Sequence, residues 1–173
     1  LTALKLQAFA SAYTLNFADR IHHYSGDRPL FDLYGIEEEI ERALARGETA
    51  PRHHALTRPP ETEAEATARA IAMAEMAGAP LYVVHLSCQA ALEQVTAARE
   101  RGQRVFAETC PQYLFLSIED YDRPGFDGAK YVMSPPLREA RDQDALWRGL
   151  ANGELHRHEA AATKVAMAYA NKL

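Results

Sequence analysis

Two short apolar runs, Leu81-Tyr-Val-Val-His85 and Arg104-Val-Phe-Ala-Glu108, constrain this chain more than any other feature. Each has the length of one strand and is apolar without alternation, the pattern of a strand buried on both faces of a parallel sheet. Between them Ala91, Leu92, Val95 and Ala98 recur at helical spacing, Ser87 stands where it can cap the helix, and Arg99, Arg101 and Gly102 close it. Strand, helix and strand in this order make a crossover unit, in which functional groups gather where strands end.

The flanking pattern extends the unit. Ile36, Ile40, Ala43 and Leu44 fall on one helical face, with Glu37 to Glu39 read as its first turn, Arg42 and Arg46 as its last, and Gly47 as its stop. A second helix is predicted after Pro59-Pro60, with Ala66, Ala70, Met73 and Ala77 on one face and Gly78 and Pro80 at its end. Tyr131-Val-Met-Ser134 reads as a short strand cut off by Pro135-Pro136, and Gln143 to Ala151 as a last helix before Asn152-Gly153. Residues 1–35 show no clear period, and residues 156–173 again lack agreement between signals. The organisation is therefore a central α/β segment over 36–155 between two divergent ends.

Composition narrows the partners. The chain has 173 residues and a net charge of −5, a poor balance for binding a phosphate backbone. No apolar run reaches the roughly 18 residues of a membrane span. The two cysteines, Cys88 and Cys110, fit neither a disulfide framework nor a CxxC pair, which favours a reducing, cytoplasmic setting.

If the three runs are parallel strands, His85, Glu108 and Ser134 share one rim. His85 is either a metal ligand or a packing histidine. Glu108 is a base, a hydrogen-bond acceptor or the buried partner of an arginine. Ser134 has no neighbouring His or Asp to activate it as a nucleophile, so its backbone, pinned by two prolines, suits the holding of a polar ligand. His156-Arg157-His158 has chelate spacing on a strand but charged surroundings, and reads as a solvated segment. His22-His23 and His53-His54 read as loop residues. Cys88 reads as a small core residue rather than an activated thiol.

Several stretches together resemble the cyclic amidohydrolases of the dihydropyrimidinase and hydantoinase type. They are Arg52-His-His-Ala-Leu-Thr-Arg-Pro-Pro60, Glu65-Ala-Thr-Ala-Arg-Ala70, Tyr82-Val-Val-His-Leu-Ser87 and Ala107-Glu-Thr-Cys-Pro-Gln-Tyr-Leu-Phe-Leu116. Tyr131-Val-Met-Ser-Pro-Pro-Leu-Arg138 and Asp144-Ala-Leu-Trp-Arg148 follow in the same order and spacing. The resemblance runs from roughly Glu37 to Leu155. It implies part of a TIM (β/α)8 barrel of the metal-dependent amidohydrolase type. It also implies ring-amide hydrolysis with two divalent metals, usually zinc, on a small cyclic-amide substrate, and a homo-oligomer in the intact family. Within it His85 matches a metal-binding histidine, and Ser134 matches the serine whose backbone holds the ring amide of the substrate. Thr163-Lys-Val-Ala-Met-Ala-Tyr169 looks like the family's bridging-lysine strand, which would put Lys164 on the metals and Tyr169 at the substrate, although in the family that strand precedes the core.

The departures matter as well. Pro29-Leu-Phe-Asp-Leu-Tyr-Gly35 carries no histidine where the family has one, and Ala160 to Ala162 occupy the place of its last aspartate ligand. A barrel of this kind needs at least about 200 residues. The expectation is an incomplete, inactive piece of a hydantoin- or dihydropyrimidine-opening enzyme. The alternative is a non-catalytic relative that keeps the fold for interaction or assembly.

Overall fold

The computed structural model describes residues 6–9 and 33–157, with side chains described over 36–155. Strand β1 (Leu6–Phe9) is followed by helices α1 (Leu33–Ala45), α2 (Arg52–Leu56) and α3 (Pro60–Met76), then strand β2 (Leu81–Val84). Helix α4 (Gln89–Glu100), strand β3 (Val105–Thr109) and helix α5 (Pro111–Phe115) come next. Two 3-10 turns, Ile118–Asp122 and Asp127–Tyr131, lead to helix α6 (Ala140–Ala151) and strand β4 (His156–Arg157). The four strands lie in the order β1-β2-β3-β4, every neighbour parallel, with Leu81 opposite Val105, and Glu108 opposite His156. The expected strand–helix–strand crossover is therefore present.

One face of the sheet is covered. Leu81, Val83, Val105 and Ala107 pack with Ala70, Ile71 and Ala74 of α3 and Ala91, Leu92, Val95 and Ala98 of α4 in a single core. Successive strand residues point to opposite faces, and on the second face Tyr82 is 37% and Phe106 43% exposed. Burial on both faces, expected from the apolar runs, is thus not what the described residues show. Gly78 and Gly102, read as helix stops, do turn the chain with φ of 62° and 83°, where other residues are strained. No helix among the described residues is long and apolar enough to cross a membrane.

Other expectations are corrected in detail. Helix α1 begins at Leu33, so Glu38 and Glu39 sit beyond its first turn and pair with Arg42 on the surface, while Leu44 is exposed. Helix α3 buries Glu63, Thr67, Ala70, Ile71 and Ala74 rather than the Ala66–Met73–Ala77 face. Glu63 lies on that buried face, where its carboxylate accepts hydrogen bonds from Ser87 and Arg138. The Tyr131–Ser134 stretch forms no strand. Its first residue ends a 3-10 turn in which Gly128 lies so close to Tyr121 that an added Cβ would sit 2.0 Å from the Tyr121 carbonyl oxygen.

Candidate functional site

His85 follows the last residue of β2 and adopts φ of 43°, the left-handed region that a residue with a Cβ enters at a cost. The chain around it is clipped to β3. Leu86 N–H donates to the Glu108 carbonyl at 2.8 Å, and Thr109 Oγ1 donates to the Leu86 carbonyl at 2.7 Å. His85 and Glu108 are accordingly brought to neighbouring strand ends on one rim, as the alternation of elements implied. Glu108 is 8% exposed and accepts a hydrogen bond from Tyr82 Oη at 2.8 Å, which makes it a buried acceptor.

Ser87 does not cap α4. Cys88 stands at the cap position, and Asp142 of α6 supplies the missing acceptor, its Oδ1 taking the Gln89 N–H at 2.9 Å. Ser87 instead gives its N–H to Glu63 Oε1 at 2.7 Å and its hydroxyl to Glu63 Oε2. Arg138 completes the cluster by donating from Nε to Ser87 Oγ at 3.1 Å and from Nη2 to Glu63 Oε2 at 3.0 Å. It also donates to the Arg58 carbonyl. Glu63 is 2% and Arg138 6% exposed, so this is a buried, multiply hydrogen-bonded ion pair. It joins the loop after His85 to the loop that carries Ser134.

Ser134 lies in that second loop and is exposed. Its neighbours are held on both sides. The Met133 carbonyl accepts from His54 Nε2 at 2.8 Å and the Pro135 carbonyl accepts from Tyr113 Oη at 2.9 Å, while Leu137 N–H donates to Tyr121 Oη at 2.9 Å. His53 and His54 are therefore helical residues of α2 and not loop residues. His54 was hidden from sequence reasoning because its partner is a carbonyl 79 positions away, and only its place in the run Arg52–Pro60 marked it. Burial holds the His54 imidazole below the usual histidine range, with Arg58 adding to the effect. Cys88 is buried, and burial drives its thiol far up, in keeping with a core residue. Burial also pushes the Cys110 thiol up to about 11, with the nearby Glu108 contributing.

Among the described residues no group of three or more His, Cys, Asp or Glu side chains is arranged to hold a metal ion. The described residues alone therefore do not make a metal centre, and His85 is the rim imidazole among them. The backbone of His156 pairs beside Glu108. His22, His23, His158, Lys164 and Tyr169 lie outside the described residues.

No family model matches the chain. It is 55% identical over 113 residues to a D-hydantoinase of Ralstonia pickettii, covering 65% of this chain and 25% of that protein. It is likewise 55% identical over 120 residues to a D-hydantoinase of Geobacillus stearothermophilus, covering 69% of this chain and 26% of the relative. Among solved structures, the dihydropyrimidinase of Brevibacillus agri superposes with a TM-score of 0.69 at 54% identity, over 70% of this chain and 26% of the other. The chain spans about a quarter of the length of the curated relatives it matches.

Proposed function

Over its central segment this chain is a relative of the D-hydantoinases and dihydropyrimidinases, and from that premise we propose that the segment serves hydrolysis of a cyclic amide such as a hydantoin or dihydropyrimidine. In that reaction water adds to the ring carbonyl carbon, the ring C–N bond breaks, and the departing nitrogen takes up a proton. The Ser134 peptide carries the reading. It is exposed in a loop whose flanking carbonyls, of Met133 and Pro135, both accept hydrogen bonds, and it offers an amide N–H to a ring-amide oxygen. His85 supplies an imidazole at the end of β2, suited to a divalent metal such as zinc, and the Glu63–Ser87–Arg138 cluster ties the loop after it to the loop of Ser134. The described residues do not make up the two-metal centre that such chemistry implies. They provide recognition of the amide and one imidazole of the set. Lys164 and Tyr169 are the further members that this reading assigns to the metal and to the substrate, and a (β/α)8 barrel is the architecture in which it places the four-stranded sheet. Identity of 52–57% across the motif-bearing segment favours an enzyme's segment over a non-catalytic module.

A chimera tests this. Residues 37–155 replace the matching segment of the Geobacillus stearothermophilus D-hydantoinase, and ring opening of phenylhydantoin is followed. The expected chimera retains activity within about tenfold, and His85→Ala in it lowers turnover by more than about 100-fold, since metal-bound water is the usual nucleophile in such sites. A chimera that folds by circular dichroism and melts cooperatively, yet opens no ring, overturns the proposal.

A further inference from the structure

We infer that His54 is a positioning residue for Ser134: by donating to the Met133 carbonyl it aims the N–H at the other end of the same peptide unit toward a ligand amide oxygen. This rests on the reading of Ser134 given above.

The argument begins with the peptide plane. The Met133 carbonyl and the Ser134 N–H belong to one rigid planar unit. The cis peptide in this loop is the next one, Ser134–Pro135, so the Met133–Ser134 unit is trans and its C=O and N–H point in opposite directions. Whatever fixes the carbonyl therefore fixes the direction of the N–H. His54 Nε2 meets that carbonyl at 2.8 Å. A carbonyl can only accept, so Nε2 carries the hydrogen and the tautomer is determined. The backbone that carries the imidazole is held, because α2 is closed by Arg58 Nη1 on the His54 carbonyl at 3.0 Å and by Thr57 Oγ1 on the His53 carbonyl at 2.9 Å.

The other positions from 135 to 137 leave no free backbone donor. Pro135 and Pro136 have no N–H, and Leu137 N–H is given to Tyr121. Among the described residues the Ser134 N–H has no acceptor, and Ser134 is exposed, so it is the one backbone donor of residues 134–137 left for a ligand. A carbonyl that accepts a hydrogen bond polarises its amide, which makes the N–H at the far end a stronger donor. His54 thus gives Ser134 both direction and donor strength without touching the ligand.

The test uses the full chain labelled with 15N and 13C, in wild type, His54→Leu and His54→Gln. In the wild type, a through-hydrogen-bond coupling between His54 Nε2 and the Met133 carbonyl carbon is expected, and a well-resolved spectrum without it overturns the inference. In His54→Leu the Ser134 amide nitrogen resonance moves and its hydrogen exchange quickens, whereas His54→Gln, which keeps a donor, restores both in part. A Ser134 resonance indifferent to His54→Leu in a folded protein overturns the inference. Hydantoin at millimolar concentration is then the probe. Its binding, read at Ser134, weakens by roughly three- to tenfold in His54→Leu, the worth of one modest hydrogen bond. Equal affinity overturns the inference. If hydantoin leaves Ser134 unmoved in the wild type, the cyclic-amide reading of the site fails. That failure is distinct, and it is seen before any variant is made.

Discussion

At the scale of single residues, His85 is the non-glycine residue with positive φ among the described residues. A side chain at φ of 43° crowds its own backbone, and such residues persist only where the surroundings over-determine them. Here the surroundings do so. The next two residues are fixed by three hydrogen bonds: Leu86 to Glu108, Thr109 to Leu86, and Ser87 to Glu63. Glycine at this position would lose the imidazole but relieve the crowding, whereas alanine would lose the imidazole and keep the crowding. His85→Gly is therefore expected to be more stable than His85→Ala by about 1 kcal/mol, read from the urea midpoints of two variants with equal slopes. Equal midpoints would show that the turn is not strained. Backbone strain alone would favour glycine there.

At the scale of elements, the buried cluster of Glu63, Ser87 and Arg138 ties together the start of α3, the β2–α4 connection and the loop before α6. Removing one charge leaves the other buried and unpaired, which typically costs 3–5 kcal/mol. Glu63→Leu and Arg138→Leu are each expected to lose about that much, and the double variant less than their sum, because it buries no lone charge. Additive losses in urea unfolding would mean that the pair is not coupled. The same cluster explains which elements were legible in the sequence. Helix α4 buries Ala91, Leu92, Val95 and Ala98 as its period implied, since nothing polar competes for that face. Helix α3 was misread by its face, because an inward glutamate looks like a solvent residue until its arginine, 75 positions later, is placed beside it. Tyr131–Ser134 looked like a strand on composition, yet the chain turns there beside the close approach of Gly128 to Tyr121, a fact that no local pattern carries. The rim position of His85 and Glu108 was legible from strand length alone, whereas the part played by His54 was not.

At the scale of the whole molecule, the four parallel strands carry helices on one face, while Tyr82 and Phe106 on the other remain more than a third exposed. His85 thus stands at the end of a strand in a sheet packed from one side. Catalysis asks more of such a frame than recognition does. Catalytic zinc sites ordinarily draw three protein ligands, and one imidazole holds zinc weakly. Two-metal sites place their ions about 3.5–4 Å apart around a shared oxygen, a geometry that several ligands must fix at once. Among the described residues no three candidate ligands converge, and the role proposed for Ser134 is to bind an amide, not to activate water. This chain on its own is therefore expected to open dihydrouracil or phenylhydantoin at the background rate, with zinc, cobalt or manganese added. The measurement is ring opening by the purified chain against a buffer blank. A metal-dependent turnover near about 1 s⁻¹, ordinary for an enzyme, that vanishes in His85→Ala would refute this expectation. It would also show that His156, His158, His22 or Lys164 joins His85 at the metal, and the next variants to make would be those four.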